Sequence, residues 1–131
     1  MRFFPFSENE TRPPSFIEGE TPLKLVQHLI GPHYWVKQTP EWQAVIDAFT
    51  LPMFRDAERD RLMRYVDLEA RHIAWDKIHH EAAQMNTEKQ VLVRVAHALH
   101  SGGDCQLAEL EHLSSAARSA AILLIGQRYR Q

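Results

Sequence analysis

The sequence lacks the features that identify secreted, membrane-spanning and nucleotide-binding proteins. It holds a single cysteine, Cys105, so no disulfide can form within the chain, and we expect a cytoplasmic protein. Its longest apolar run, Ala120–Ile125, is far shorter than the roughly 18–20 residues that cross a bilayer, so we expect no membrane partner. The sequence contains no glycine-rich phosphate loop, no G-x-S-x-G motif and no C-x-x-C motif.

The chain also lacks an excess of charge of either sign. It has 15 basic and 17 acidic residues, and its net charge is −2. We therefore expect no nucleic acid partner, because nucleic-acid-binding domains usually carry a basic patch and a high isoelectric point. A local contact to nucleic acid ranks last among the functions considered, because acidic residues alternate with the arginines that would make it: Arg55, Arg59, Arg61 and Arg64.

Length, composition and hydrophobic spacing favour one helical domain. The chain has 131 residues, of which 44% are apolar and 24% charged, as is usual for a globular protein that buries its own core. Every periodic segment after residue 20 has helical spacing. We predict an all-α fold in which residues 21–131 form a single-domain bundle of about five helices, preceded by an extended N-terminal arm at residues 1–20.

The arm combines helix-breaking prolines with an unusual number of aromatic residues. Disordered tails are usually poor in aromatic side chains. The arm therefore lies across its own domain, docks onto a partner or a second copy, or is a frayed tail. The candidate partner-binding residues are Phe3, Phe4 and Phe6, together with Trp75, which falls off the main apolar stripe of its predicted helix.

Start and stop signals divide the rest of the chain into helices. Proline follows threonine at Thr21 and at Thr39, a combination typical of helix N-termini. No glycine or proline occurs between Asp56 and Gln84, which predicts one long amphipathic third helix. We expect this helix and the last one at the centre of the bundle. The predicted helices cover residues 22–30, 40–49, 56–84, 88–100 and 115–128, with a short helix or turn over 107–112.

The polar face of the third helix is the candidate for a metal or acid–base site. Glu69, His72, Asp76 and His80 follow each other at steps of three or four residues, which places them on one helical face. Imidazole and carboxylate groups are suitable ligands for zinc, iron or manganese. The alternative is a solvated face with charge pairing, and we expect no stoichiometric metal and no cofactor in the purified protein.

Three other positions have two interpretations each. His97 and His100 lie near the end of the fourth helix, where the helix dipole favours a protonated imidazole, and we interpret them as a surface pair. A metal site shared with His112 is the alternative. Cys105 follows two glycines, and we interpret it as a small apolar residue rather than a nucleophile.

The last third of the chain resembles a group of known proteins. An apolar helix over 92–99 is followed by Gly102-Gly103, by the leucine-containing segment 107–113 and by a final Ala/Leu/Ile helix that ends in arginine. In this order the chain resembles uncharacterised small all-helical proteins of bacteria and their prophages. The resemblance implies a stand-alone bacterial protein and includes no chemically specific motif.

The function that these observations favour is a non-catalytic protein–protein interaction or adaptor role, in an oligomer or as a subunit of a larger assembly. The reason is an excess of apolar surface in the arm, in Tyr34–Val36 and in the last helix, part of which is left for a partner. The alternative is a metal-binding protein or a metal-dependent enzyme that uses the His/Asp/Glu face of the third helix.

Overall fold

The computed structural model describes residues 22–103 and 107–129. The predicted arm at residues 1–20 and Cys105 lie outside these ranges. Helices make up 71% of the structure, which confirms the all-α fold class. The α-helices of the described residues are α1 (Pro22–Ile30), α2 (Pro40–Phe49), α3 (Asp56–Met63), α4 (Trp75–Ala82), α5 (Thr87–Ser101) and α6 (Ser115–Arg128). Two 3₁₀ helices (Tyr34–Gln38 and Leu107–His112) and two short strands, β1 (Val66–Asp67) and β2 (His72–Ile73), complete the described elements.

The prediction of one long third helix is wrong. The region is divided into α3 and α4 by the antiparallel hairpin of β1 and β2, in which Val66 pairs with Ile73. An Oδ1 atom of Asp67 accepts a hydrogen bond from the N–H of Ala70 at 2.9 Å, so the chain turns locally instead of continuing the helical ladder. Arg71 then adopts a left-handed conformation with φ of 55°.

The centre of the bundle is formed by α2 and α5 rather than by the third and last helices. Ile46 and Phe49 of α2 and Leu92 and Val95 of α5 are completely or almost completely inaccessible to solvent. The last helix, α6, packs against this pair through Ala117, Ala121 and Leu124. Its apolar surface is wider than this contact, because Ile122 and Leu123 remain 56% and 58% exposed.

The helix boundaries follow from identifiable caps. Asn86 accepts a hydrogen bond from the N–H of Lys89 at 2.9 Å and begins α5, which ends at Gly102 with φ of 74°. Ser114 accepts from the N–H of Ala117 at 3.2 Å and begins α6. Thr39 precedes α2 as predicted, but its hydroxyl donates to the carbonyl of Trp35 at 2.9 Å instead of capping the helix.

Buried charges attach α3 to the rest of the bundle. Nζ of Lys89 donates to both carboxylate oxygens of Glu58, at 2.7 and 2.9 Å. The guanidinium of Arg59 donates to the carbonyls of Phe49 and Phe54, at 2.7 and 3.1 Å. These contacts satisfy charges that would be costly to bury alone. Lys89 holds α3 against the start of α5, and Arg59 holds it against the end of α2.

Among the described residues, none of the helices has the length and apolar character needed to span a membrane.

Candidate functional site

A groove between α2 and α6 is the clearest candidate for a binding surface. Its volume is about 500 Å³, and Val26 of α1 lies along it. Leu123, which is 58% exposed, forms part of its wall. The apolar lining consists of Val26, Leu51, Pro52, Ala120, Leu123 and Leu124, and the polar lining of Lys37, Gln43, Asp47, Thr50 and Gln127.

Asp47 gives this apolar groove a specific polar feature. Its Oδ1 atom accepts a hydrogen bond from Nε2 of Gln43 at 2.9 Å. Burial raises the pKa of the Asp47 carboxyl, and the hydrogen bond from Gln43 partly opposes this rise in pKa. A carboxylate that has lost part of its hydration favours a positively charged group placed beside it. Lys37 also lines the groove. The groove is therefore suited to an apolar segment that places one cation beside Asp47 and away from Lys37.

The second feature is a cluster of aromatic and imidazole rings where α2, α4 and α5 meet. We call it the ring cluster, and it consists of Trp42, Trp75, His79, His97 and His100. Trp75 stacks on His97 with a centroid distance of 4.3 Å and an angle of 8° between the planes. Nε1 of Trp75 donates to Nδ1 of His100 at 3.3 Å. The first turn of α4 is thereby attached to the C-terminal half of α5.

Two histidines of this cluster face each other directly. Nε2 of His79 lies 2.8 Å from Nδ1 of His97, a hydrogen-bond distance at which one nitrogen donates and the other accepts. Both side chains are half-buried. Sequence reasoning could not pair these two histidines, because they are 18 positions apart on different helices.

The surroundings keep these imidazoles neutral. Burial lowers the pKa of His79, and the charge of Arg94 lowers it further. Burial is also the main cause of the lowered pKa of His97, with contributions from His79 and His100. The carboxylate of Asp76 opposes the lowering of both pKa values.

The pKa of His100 is also lowered, and burial is again the main cause. The lowering of the His100 pKa by burial outweighs the effect of the Glu41 carboxylate, which raises this pKa. The positive charge of Arg128 lowers the His100 pKa further. The interpretation of His97 and His100 as a surface pair is therefore wrong, since both pack against Trp75. The position of Trp75 off the apolar stripe was the one signal in the sequence that pointed to this contact.

The four residues predicted as metal ligands lie on different elements. Glu69 is in the turn between the strands, 3.7 Å from Nε2 of His33, and His72 is on β2. Asp76 and His80 are one turn apart on α4, and all four predicted ligands are exposed. In the described parts of the chain, no three His, Cys, Asp or Glu side chains form a group that could hold a metal ion. A metal site at these four residues stays a prediction.

The remaining predicted positions are placed as follows. His112, the alternative metal ligand considered with His97 and His100, is exposed. Arg59 is buried and its guanidinium is bound to backbone carbonyls, so it cannot neutralise phosphates as a nucleic-acid contact would require. Phe3, Phe4 and Phe6 lie outside the described residues, and a partner contact of Trp75 stays a prediction.

Comparison of the chain with models of protein families, with curated proteins and with solved structures found no match. The resemblance of the C-terminal third to small helical bacterial and prophage proteins therefore stays a prediction.

Proposed function

We propose that this protein is a non-catalytic interaction protein that self-associates through the groove between α2 and α6. The observation that supports the proposal is the apolar surface of α6 that the bundle leaves uncovered. Leu123 is 58% exposed where it lines the groove. Exposed apolar surface of this kind, next to a few polar groups, is typical of protein interaction sites.

The proposed occupant is the N-terminal segment of a second copy. Residues 2–6 read Arg-Phe-Phe-Pro-Phe, and they combine aromatic side chains with the single cation that the groove favours. In this arrangement Phe3, Phe4 and Phe6 contact the apolar lining, and Arg2 pairs with Asp47. Aromatic residues and arginine are the residue types that contribute most to protein interfaces. We further propose that the protein works in the cytoplasm of a bacterial cell, as its single cysteine and the resemblance suggest.

The test compares two neighbouring residues of α6 that are equally exposed. Leu123 lines the groove, whereas Ile122, which is 56% exposed, is not part of its lining. Sedimentation velocity of the full chain over a range of concentrations should show self-association for the wild type and for Ile122→Glu. Leu123→Glu should be mainly monomeric. A wild-type protein that is monomeric at all concentrations, or two variants that associate equally, would contradict the proposal.

A second measurement identifies the occupant. A fluorescent peptide of residues 1–16 should bind to a chain that lacks these residues, and Leu123→Glu in that chain should abolish binding. Binding of the peptide without self-association of the full chain would show that each arm occupies its own groove. An absence of peptide binding while the full chain still associates would mean that another segment occupies the groove.

A further inference from the structure

We infer that His79 and His97 form a two-histidine site for a divalent transition-metal ion of the zinc, nickel and copper group, with water at the remaining coordination positions. This site differs from the face predicted from the sequence and is independent of the groove. It rests on the position of two ring nitrogens, Nε2 of His79 and Nδ1 of His97, which lie 2.8 Å apart and come from two different helices.

The distance between these nitrogens is close to what a metal ion requires. Zinc–nitrogen bonds of about 2.0–2.1 Å at a tetrahedral angle place two ligand nitrogens about 3.3 Å apart. The pair therefore has to open by roughly 0.5 Å, which small changes in the side-chain torsions of the two histidines can supply. In the absence of metal, a single proton between the two nitrogens holds them together.

The protonation state also favours a metal. Only a neutral imidazole can offer its lone pair, and binding is weakened when a proton has to be removed first. At the 2.8 Å separation of Nε2 of His79 and Nδ1 of His97, one nitrogen donates and the other accepts, so one of the two already carries a lone pair. Binding then requires only that the shared proton move, so that Nε2 of His79 and Nδ1 of His97 both carry lone pairs while the other ring nitrogens carry the protons.

The surrounding residues restrict one ligand and place charges of both signs near the pair. Trp75 stacks on His97 at 4.3 Å and restricts the orientation of its ring. Asp76 is exposed and precedes His79 by one turn of α4, and its negative charge acts on both histidines, whereas the positive charge of Arg94 acts on His79 in the opposite direction. His100 is not an expected ligand, because its Nδ1 atom accepts the hydrogen bond from the indole of Trp75.

The donor set determines which ions bind. Imidazole suits zinc, copper and nickel, whereas magnesium and calcium require several oxygen ligands. With two protein ligands the ion is held less firmly than in structural sites with four. We therefore expect the site to fill when the ion is in excess and to empty during purification, in agreement with the absence of a stoichiometric metal expected from the sequence.

The test uses the full chain, free of any tag and treated with a chelator. Titration calorimetry with zinc chloride and with nickel chloride at pH 7.5 should show saturable binding of one ion, and magnesium chloride should show none. His79→Gln and His97→Gln should each weaken binding at least tenfold. His28→Gln is the control, because His28 is exposed on α1 and belongs to neither candidate metal site, and it should bind as the wild type does. His80→Gln tests the face predicted from the sequence: it should keep binding, and it would lose binding if that face held the ion.

A second measurement uses only the wild-type protein, so its result does not depend on whether the variants fold. In the wild-type protein, imidazole nitrogen shifts measured by nuclear magnetic resonance should change on adding zinc at Nε2 of His79 and Nδ1 of His97. The shifts of His72, which is exposed on β2, should stay constant. A wild-type protein that binds no zinc, a loss of binding in His80→Gln equal to that in His79→Gln, or zinc-induced shifts confined to other histidines would overturn the inference.

Discussion

Nζ of Lys89 donates hydrogen bonds to both carboxylate oxygens of Glu58, across a separation of 31 residues in the sequence. The N–H of Arg55 donates to the same carboxylate at 2.8 Å. Burial raises the pKa of Glu58, but the hydrogen bonds from Lys89 and Arg55 outweigh burial, so the pKa of Glu58 lies below its usual value. The pair therefore stays ionised at neutral pH and connects α3 with α5.

Lys89→Met should destabilise the protein strongly. It leaves the carboxylate of Glu58 buried without its partner, which typically costs about 3–5 kcal/mol. The double variant Lys89→Met with Glu58→Leu should regain most of this loss, because neither charge of this pair then remains buried. Urea unfolding measures both effects. Arg61→Ala is the control, because it removes a more exposed ion pair to Glu81 and should cost less than about 1 kcal/mol. Equal losses in the free energy of unfolding for Lys89→Met and Arg61→Ala would show that the burial of the Lys89–Glu58 pair does not increase the cost of breaking it.

The pattern of helices could be predicted from sequence because its signals are local. Proline at the first position of α2, Asn86 before α5 and Ser114 before α6 all mark real helix starts. The break between α3 and α4 was missed because its turn uses neither glycine nor proline. Asp67 supplies the turn with its carboxylate, and Arg71 takes the left-handed position where glycine is usual.

The candidate sites were less predictable, because they depend on contacts between distant residues. Asp47 looks like an ordinary polar residue of α2, and only the packing of α6 places it in an apolar groove. His79 and His97 meet because α4 packs against α5 after the hairpin, and the prediction of one continuous helix did not include this hairpin. The exposed side of α6 was predictable in part, since its apolar residues outnumber those that one face can bury.

Lowering the pH should destabilise the protein through His79, His97 and His100. Their pKa values are lowered in the folded state, relative to about 6.5 in the unfolded chain. Above pH 6.5 both states are neutral at these positions and the full stability is present. Below pH 6.5, the unfolded chain binds protons at these histidines that the folded protein does not bind. The free energy of unfolding therefore falls as the pH decreases, by at most about 1.4 kcal/mol per pH unit for each histidine.

Urea unfolding between pH 5 and 8 measures this dependence. Replacing all three histidines of the ring cluster by glutamine should flatten the curve between pH 5 and 6.5. The double variant His72→Gln with His80→Gln removes two exposed histidines and should keep the wild-type slope. If the triple variant kept the wild-type slope while the double variant lost it, the ring cluster would not be the source of the acid sensitivity.

Two substitutions of Arg71 should separate backbone strain from side-chain contact. The guanidinium of Arg71 lies 4.2 Å from the ring centroid of Trp35, a cation–π contact worth about 0.5–1 kcal/mol at an exposed site. Arg71→Ala loses this contact and keeps the left-handed conformation. Arg71→Gly also loses the contact but relieves a strain of about 1 kcal/mol, so it should be the more stable of the two in urea unfolding. Equal stability would mean that the turn is not strained.

Asp47→Asn should make the single chain more stable and its association weaker. Because burial raises the pKa of Asp47, the ionised carboxylate opposes folding at neutral pH, and the neutral amide removes this cost while its oxygen can still accept from Gln43. The same change removes the negative charge that we propose as the partner of Arg2. Losing one partner of a partly buried charge pair should weaken association at least tenfold, or about 1.4 kcal/mol.

The measurements for Asp47→Asn are urea unfolding of the chain that lacks residues 1–16 and sedimentation velocity of the full chain. Asp60→Asn is the matched control, because it removes one negative charge from an exposed position of α3, and it should change neither quantity. If Asp47→Asn associates as tightly as the wild type, Asp47 does not bind the partner. If it is also less stable than the wild type, the carboxylate is a structural group, and the groove would have to be recognised by its apolar lining alone.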